Sequence, residues 1–194
     1  MKIILASKSP RRRELLSGLG VKFECEPADI DESVQKGTDA KSAVEQISQR
    51  KALHIAQKYK GENVLIISAD TVVCFEGEIF GKPESKERAV KMLESMSGKT
   101  HTVLSGFTLI LADKCITKSV STKVTFRNLD KSEIDDYVNS GEPMDKAGAY
   151  GIQEKGALFV EKIDGDYFNV VGFPVCEIFK VLSSEFGLHI KDLT

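Results

Sequence analysis

The sequence predicts an α/β protein built on a mixed β-sheet, and three observations carry that expectation. Short apolar runs such as IIL near the start and VLII at 64–67 read as buried strands, and segments of helical apolar spacing separate them. Local hairpin signals occur at Gly77 and at Asp164-Gly165. The intervening helices are long enough to serve as crossovers. Hairpins and crossovers in one chain imply a sheet with both parallel and antiparallel neighbours.

Taken in order, residues 2–6 form the first strand, and Ser9 and Pro10 stand at the N-cap and first helical positions of a helix over 10–18. A short extended stretch at 21–27 leads into an acidic loop, ADIDES. A long helix runs from about Thr38 to Tyr59 on a stripe of Val44, Ile47 and Ile55, with Ala40, Ala43 and Ala52 in support. VLIISAD is a buried strand ending in a carboxylate, and VVCF pairs with the residues after Gly77. Ser85 to Ser97 is helical, with Ala89, Val90, Leu93 and Met96 on one face and Gly98 as its stop. Two long extended stretches follow at about 101–112 and 115–127. Asp130 with Glu133 reads as a capping box for a helix ending near Gly141. ALFVEKI and DYFNVVG flank Asp164-Gly165 as the arms of a hairpin. The last helix, Pro174 to Phe186, buries Val175, Ile178, Phe179, Leu182 and Phe186.

The 194 residues suit one domain spanning 1–194, with enough chain for a sizeable core. Hydrophobic residues at 41% and charged residues at 29% are ordinary for a globular protein. The net charge of -2 argues against a general nucleic-acid binder. No apolar run reaches membrane-spanning length, and the N-terminal one is too short for a signal peptide. Cys25, Cys74, Cys115 and Cys176 make no CxxC pair and read as reduced, mostly buried thiols of a cytoplasmic protein. His54, His101 and His189 show no metal-ligand spacing, which speaks against zinc.

Four stretches carry residues suited to chemistry. In SKSPRRR, Arg11, Arg12 and Arg13 fall in the first turn of a helix, where each cation costs roughly 0.3–1 kcal/mol against the helix dipole. Either these arginines form a solvated face, or they and the hydroxyls of Ser7 and Ser9 receive an anion such as phosphate. No GxxxxGK[ST] or GxGxxG is present, so neither a Walker loop nor a dinucleotide fingerprint explains the cluster. Asp70 follows an apolar run, where an ionised carboxylate needs a partner or a capping role. With Asp29, Asp31 or Glu32 it offers oxygen ligands of the kind Mg²⁺ accepts. Lys51 interrupts the apolar stripe of its helix and by itself reads as a snorkelling side chain, whereas Lys82, stiffened by Pro83 in GKP, is either a fixed phosphate contact or a plain loop lysine. Finally, MDKAGAYGIQ at 144–153 is a tightly turning segment ending in Gln153, whose amide places a donor beside an acceptor. Either this is a structural loop with a surface Gln, or the amide meets uracil or thymine, which present the complementary pair.

Together, LASKSPRR, SADT, GKP and DKAGAYGIQ resemble, in order and across essentially the whole chain, the motifs of the Maf family of nucleoside triphosphate pyrophosphatases. The chain is most similar to the branch acting on dTTP and UTP; a sister branch acting on methylated guanine nucleotides has Trp where Arg11 stands. The resemblance implies an elongated mixed sheet with flanking helices and two lobes around a deep cleft, as in inosine triphosphate pyrophosphatases. It implies Asp70 as the catalytic carboxylate, Arg11, Thr71 and Gln153 as specificity positions, and Ser7, Ser9, Arg12, Lys51 and Lys82 as phosphate contacts. Glu32, with Asp70, is the implied seat of a divalent cation, Mg²⁺ or Mn²⁺, with Asp31 as a rival for the loop position. Asp70 is either the proton acceptor or a metal ligand. The expected partner is a nucleoside triphosphate, with no nucleic acid or membrane and with a homodimer as the implied assembly. The rival class is a regulator of septum formation that binds nucleotide and hydrolyses it only incidentally. Two departures from the family pattern are Ser68, where Gly is commoner, and Phe173, where Leu is usual.

Overall fold

In strand β1 (Lys2–Leu5), Ile3 and Leu5 point to one side and Ile4 to the other, and all three are buried. A strand buried on both faces must lie inside a sheet covered on each side. The computed structural model describes residues 1–194 and contains such a sheet. Its seven strands run in the order β2-β1-β3-β5-β6-β7, with β4 paired to β3 off that path. The strands are β2 (Glu24–Cys25), β3 (Val64–Phe75), β4 (Glu78–Phe80), β5 (Thr100–Leu111), β6 (Lys114–Phe126) and β7 (Val160–Asp164). β1 is parallel to β2 and β3, whereas β4 is antiparallel to β3 and β7 to β6. The expected mixed α/β sheet is therefore present. The helices are α1 (Pro10–Gly18), α2 (Ala40–Ala56), α3 (Lys86–Met96), α4 (Lys131–Asn139), α5 (Tyr167–Val171) and α6 (Val175–Phe186). None is long and apolar enough to cross a membrane.

The chain divides into two compact units, one of residues 1–70, 105–120 and 172–194, the other of 71–104 and 121–171. In the first, side-chain parity sorts the core. Ile3, Leu5, Leu65, Ile67, Ala69, Phe107 and Leu109 face a layer containing Leu16 of α1 and Ile178 and Leu182 of α6. Ile4, Ala6, Val64, Ile66 and Ile110 face Ala52 and Ile55 of α2. α2 approaches β5 so closely that a Cβ at Gly106 would sit 2.5 Å from the Val44 carbonyl carbon. Only glycine fits that approach.

In the second unit an aromatic cluster joins buried aliphatic side chains such as Leu93, Met96, Val124 and Ile134. His101, Phe126, Tyr150, Phe159 and Tyr137 meet edge-to-face, with successive centroids 4.7–6.0 Å apart. Such pairs add about 0.5–1.5 kcal/mol each beyond their buried area. α4 starts at the expected box: Glu133 Oε2 accepts the Asp130 N–H at 3.0 Å, and the Arg127 guanidinium holds the Glu133 carboxyl down to about 2. The Glu76-Gly77 turn joins β3 and β4 with both residues at positive φ (48° and 84°), as a two-residue hairpin of matching twist requires.

Three expectations are corrected. The strand VLIISAD does not end at Asp70: β3 continues to Phe75, so the carboxylate lies within the strand. The Asp164-Gly165 hairpin is absent, because only Val160–Asp164 is a strand and its second arm is helix α5. Asp166 decides this, its Oδ1 accepting the Phe168 N–H at 2.8 Å while Thr122 Oγ1 holds the Asp166 backbone. Apolar and β-branched letters fit either element; the cap selects the helix. The cysteines are not mostly buried either. Cys25 and Cys115 sit on poorly covered strand ends and Cys176 on the outer face of α6, all exposed, and Cys74 is half-buried.

His101 is 2% exposed, with Nε2 2.8 Å from the Tyr150 hydroxyl and Nδ1 lacking any partner. A second ring proton would leave a buried donor unsatisfied, and burial lowers the His101 pKa to about 4. The unfolded chain takes up that proton near 6.5, so His101 favours the folded state above 6.5 and that contribution is lost as pH falls toward 4. The loss should be on the order of 2–3 kcal/mol. Urea unfolding between pH 7 and 4.5 should show a smaller loss in His101→Gln than in the unaltered chain; equal losses would exclude this source.

Candidate active site

Strand parity brings the first group of residues together. Ser68 and Asp70 share the side of β3 that faces α2, and on α2 the positions Ser48, Lys51, Ala52 and Ile55 form the buried face. Ser68 Oγ donates to the Ser48 carbonyl at 2.6 Å, and Lys51 Nζ donates to Asp70 Oδ1 at 2.8 Å. Lys51 is 8% exposed and is an ion-pair partner, not a snorkelling side chain. The same ammonium lies 3.0 Å from Glu32 Oε1, so two carboxylates from separate segments converge on one point. Asp70 Oδ1 takes the lysine bond, while 13% of the side chain's surface stays open.

Asp31 and Glu32 make different contacts. Asp31 accepts the Ser33 N–H and hydroxyl at 2.8 and 2.6 Å, and Arg50 anchors the loop by donating to the carbonyls of Asp31 and Ser33. Asp31 shapes the loop, and Glu32 is the residue that reaches Lys51. No cluster of three acidic, His or Cys side chains exists. Glu32 and Asp70 are the kind of oxygen ligand a hard divalent cation accepts, one or two carboxylates commonly sufficing beside water and substrate phosphates, but the point on which they converge is held by the Lys51 ammonium.

At α1, Ser9 occupies the N-cap with extended backbone but makes no side-chain cap bond, and the first turn holds no acidic residue. Its own N–H donates to Ser7 Oγ at 3.1 Å. Arg12 is tied into the protein: Nε donates to the Gly172 carbonyl at 2.8 Å, and Nη1 to the Ala69 carbonyl at 2.7 Å and Ser7 Oγ at 3.3 Å. Burial pulls the Arg12 pKa down, and the Asp70 charge opposes that shift. Arg11 is half-buried and Arg13 exposed in the same turn.

The second unit carries Thr71, Lys82 and Gln153. Thr71 follows Asp70 on β3 and therefore points to the opposite side of the strand. The Gly81 carbonyl accepts the Gly148 N–H at 3.1 Å, which joins GKP to AGAYG, and a Cβ at Gly148 would sit 2.6 Å from Val73 Cγ2. Lys82, next to Gly81, is exposed and without an ion-pair partner, and Gln153 is exposed on its loop. Sequence reasoning missed Tyr137 and Glu142, which bond the backbone of that loop. Their contacts join residues 14 positions apart through irregular backbone, so no periodic pattern announces them.

A family model described as "Maf-like protein" matches residues 2–185, and the chain belongs to the Maf family. A dTTP/UTP pyrophosphatase of Thermosipho africanus is 50% identical over 182 residues, covering 94% of this chain and 92% of that protein. Proteins of the same name from Thermotoga maritima and Bacillus pumilus are 49% and 44% identical, covering 94% and 96% of this chain and 88% and 97% of their own lengths. Among solved structures, the Ham1 protein of Staphylococcus aureus aligns with TM-score 0.41 and 16% identity, over 80% of this chain and 90% of that one.

Because Arg12 bridges two backbone carbonyls with a planar fork that an ammonium lacks, Arg12→Lys should destabilise the fold by about 2–4 kcal/mol. Urea denaturation without nucleotide measures this. An unchanged midpoint would mean that the fork is not a structural tie.

Proposed function

We propose that this chain hydrolyses dTTP and UTP between the α- and β-phosphates, releasing the nucleoside monophosphate and pyrophosphate. One observation carries the reading beyond family membership: Lys51 Nζ lies within 3.0 Å of both Asp70 Oδ1 and Glu32 Oε1. That arrangement brings two carboxylates together on one ammonium in a region otherwise rich in cations. Relatives sharing 44–50% identity bear the name dTTP/UTP pyrophosphatase, which supports the substrate class.

The reaction needs little covalent help from the protein beyond positioning water, neutralising charge and holding the leaving group. Asp70, with Oδ1 fixed by Lys51, accepts the proton of the attacking water at Oδ2. Ser7, Ser9, Arg12, Lys51 and Lys82 hold phosphate oxygens, and Arg11 adds charge while contributing with Thr71 and Gln153 to the choice of base. Gln153 pairs its amide with O4 and N3–H of the pyrimidine. Glu32 would hold Mg²⁺ or Mn²⁺, with Asp70 as a second ligand in the alternative in which it is not the proton acceptor, and the ion when bound supplies charge neutralisation for the phosphates. The cations at the start of α1 then oppose a polyanion, which offsets their conflict with the helix dipole.

Asp70→Asn should fold and lose turnover by about 10²–10⁴, as removal of a general base does. Pyrophosphate release from dTTP measures it, and near-normal rates would refute a catalytic Asp70. Gln153→Glu removes the amide donor and should lower the ratio of dTTP to GTP hydrolysis by about tenfold, the worth of a single hydrogen-bonding group. An unchanged ratio in a panel of triphosphates, run with and without Mg²⁺, would remove Gln153 from base recognition.

A further inference from the structure

We propose that Tyr137, Glu142 and Lys146 are positioning residues for base selection, acting by fixing the backbone of residues 150–156 that carries Gln153. The inference rests on the reading that Gln153 contacts the base.

Three anchors hold that backbone, each with its own geometry. The Tyr137 hydroxyl accepts the Gly151 N–H at 3.1 Å. The Glu142 carboxylate accepts the N–H groups of Gly156 and Lys155 at 3.2 and 3.4 Å. Lys146, 5% exposed, donates to the Glu142 carbonyl at 2.7 Å and Asp145 Oδ1 at 2.9 Å, with Glu154 Oε2 at 3.4 Å. Its stem forms the floor beneath Gly151, where a Cβ would stand 2.5 Å from Lys146 Cε. A Cβ at Gly156 would stand 2.6 Å from the Gly151 carbonyl oxygen and 2.8 Å from the Tyr137 hydroxyl. The two ends of the segment are thus packed to contact on polar anchors, of which Tyr137 and Lys146 are buried and Glu142 is half-buried.

Gln153 sits between those ends and is itself exposed. Its amide makes no contact that orients it, so its position follows from the backbone. Reading a base by a paired donor and acceptor demands placement to about 0.5 Å, and a held loop loses less freedom on binding than a mobile one. The aromatic cluster completes the support, because the Tyr137 ring packs on Phe159 at 4.9 Å.

Tyr137→Phe keeps the ring and deletes the hydroxyl. It should lower the kcat/KM ratio of dTTP over GTP about fivefold, mainly through KM for dTTP, with GTP turnover changed less than twofold. A merely structural loss would reduce both substrates alike, and that result overturns the proposal. Where Gln153→Ala itself lowers the ratio, adding Tyr137→Phe in that background should change it no further; a full effect there would also overturn the proposal. If Gln153→Ala alone leaves the ratio intact while Tyr137→Phe shifts it, the base contact is misassigned to Gln153 but the held loop still selects the base. Glu142→Gln serves as the second variant should Tyr137→Phe fail to fold. It should shift the ratio in the same direction and speed amide exchange at Gly156, and faster exchange with an unchanged ratio would sink the inference.

Discussion

The contact between Lys51 and Asp70 is the constraint on which the rest of the first unit turns. Two charges removed from water gain little net stability, because their desolvation offsets most of their attraction. Breaking such a pair leaves one charge buried alone, which is far worse, so helix α2 and strand β3 have one acceptable registry. That registry is built from ordinary means. Gly106 lets α2 sink onto β5 at Val44, and the alternation of β3 turns Asp70 to the helix side. A slip of one residue along β3 would bring Ala69 or Thr71 to Lys51 and send the carboxylate to the other face.

The start of α1 supplies the complementary half of the electrostatics. Positive charge accumulates there without a carboxylate in the first turn and without a side chain capping its N–H groups. Two of the three arginines nonetheless differ in kind. Arg12 is consumed largely by the protein, tying the end of β1, the Ala69 carbonyl and the turn before α6 into one piece. Arg13 faces solvent. The run RRR is therefore not one feature: its members divide into structural tie and surface charge, with half-buried Arg11 between them.

Much of this was legible in the sequence where the signal was local. Ser9-Pro10, Asp130 with Glu133, and Gly98 mark helix ends through chemistry confined to a few neighbouring residues, and those ends lie where expected. Lys51 on an apolar stripe and Asp70 after an apolar run were each visible as anomalies, but their pairing was not, since it depends on how α2 lies across β3. The failures have the same root. Asp164-Gly165 has the letters of a hairpin, yet the bonds of Asp166 to Thr122, 44 residues away, fix a helix start instead. Asp70 was placed at a strand end because a carboxylate is costly within one, and the lysine that removes the cost comes from another element.

Ser68 shows how a fully buried hydroxyl is absorbed by the same registry. A hydroxyl with no exposure would ordinarily be a liability beside Ala69 and Ile67, and glycine avoids it. Here the Ser68 hydroxyl donates to the carbonyl of Ser48, whose oxygen has a second lone pair beyond its helical bond. The Ser48 hydroxyl in turn meets Thr108 on β5, and Thr108 meets Thr117 on β6. A continuous polar seam thus runs under α2 from β3 to β6, and its first link lies two residues before Asp70 on the strand and three before Lys51 on the helix. The added hydroxyl converts a position that glycine would leave neutral into a bond that resists sliding of α2 along β3. That sliding is the motion that would part the lysine from its carboxylate.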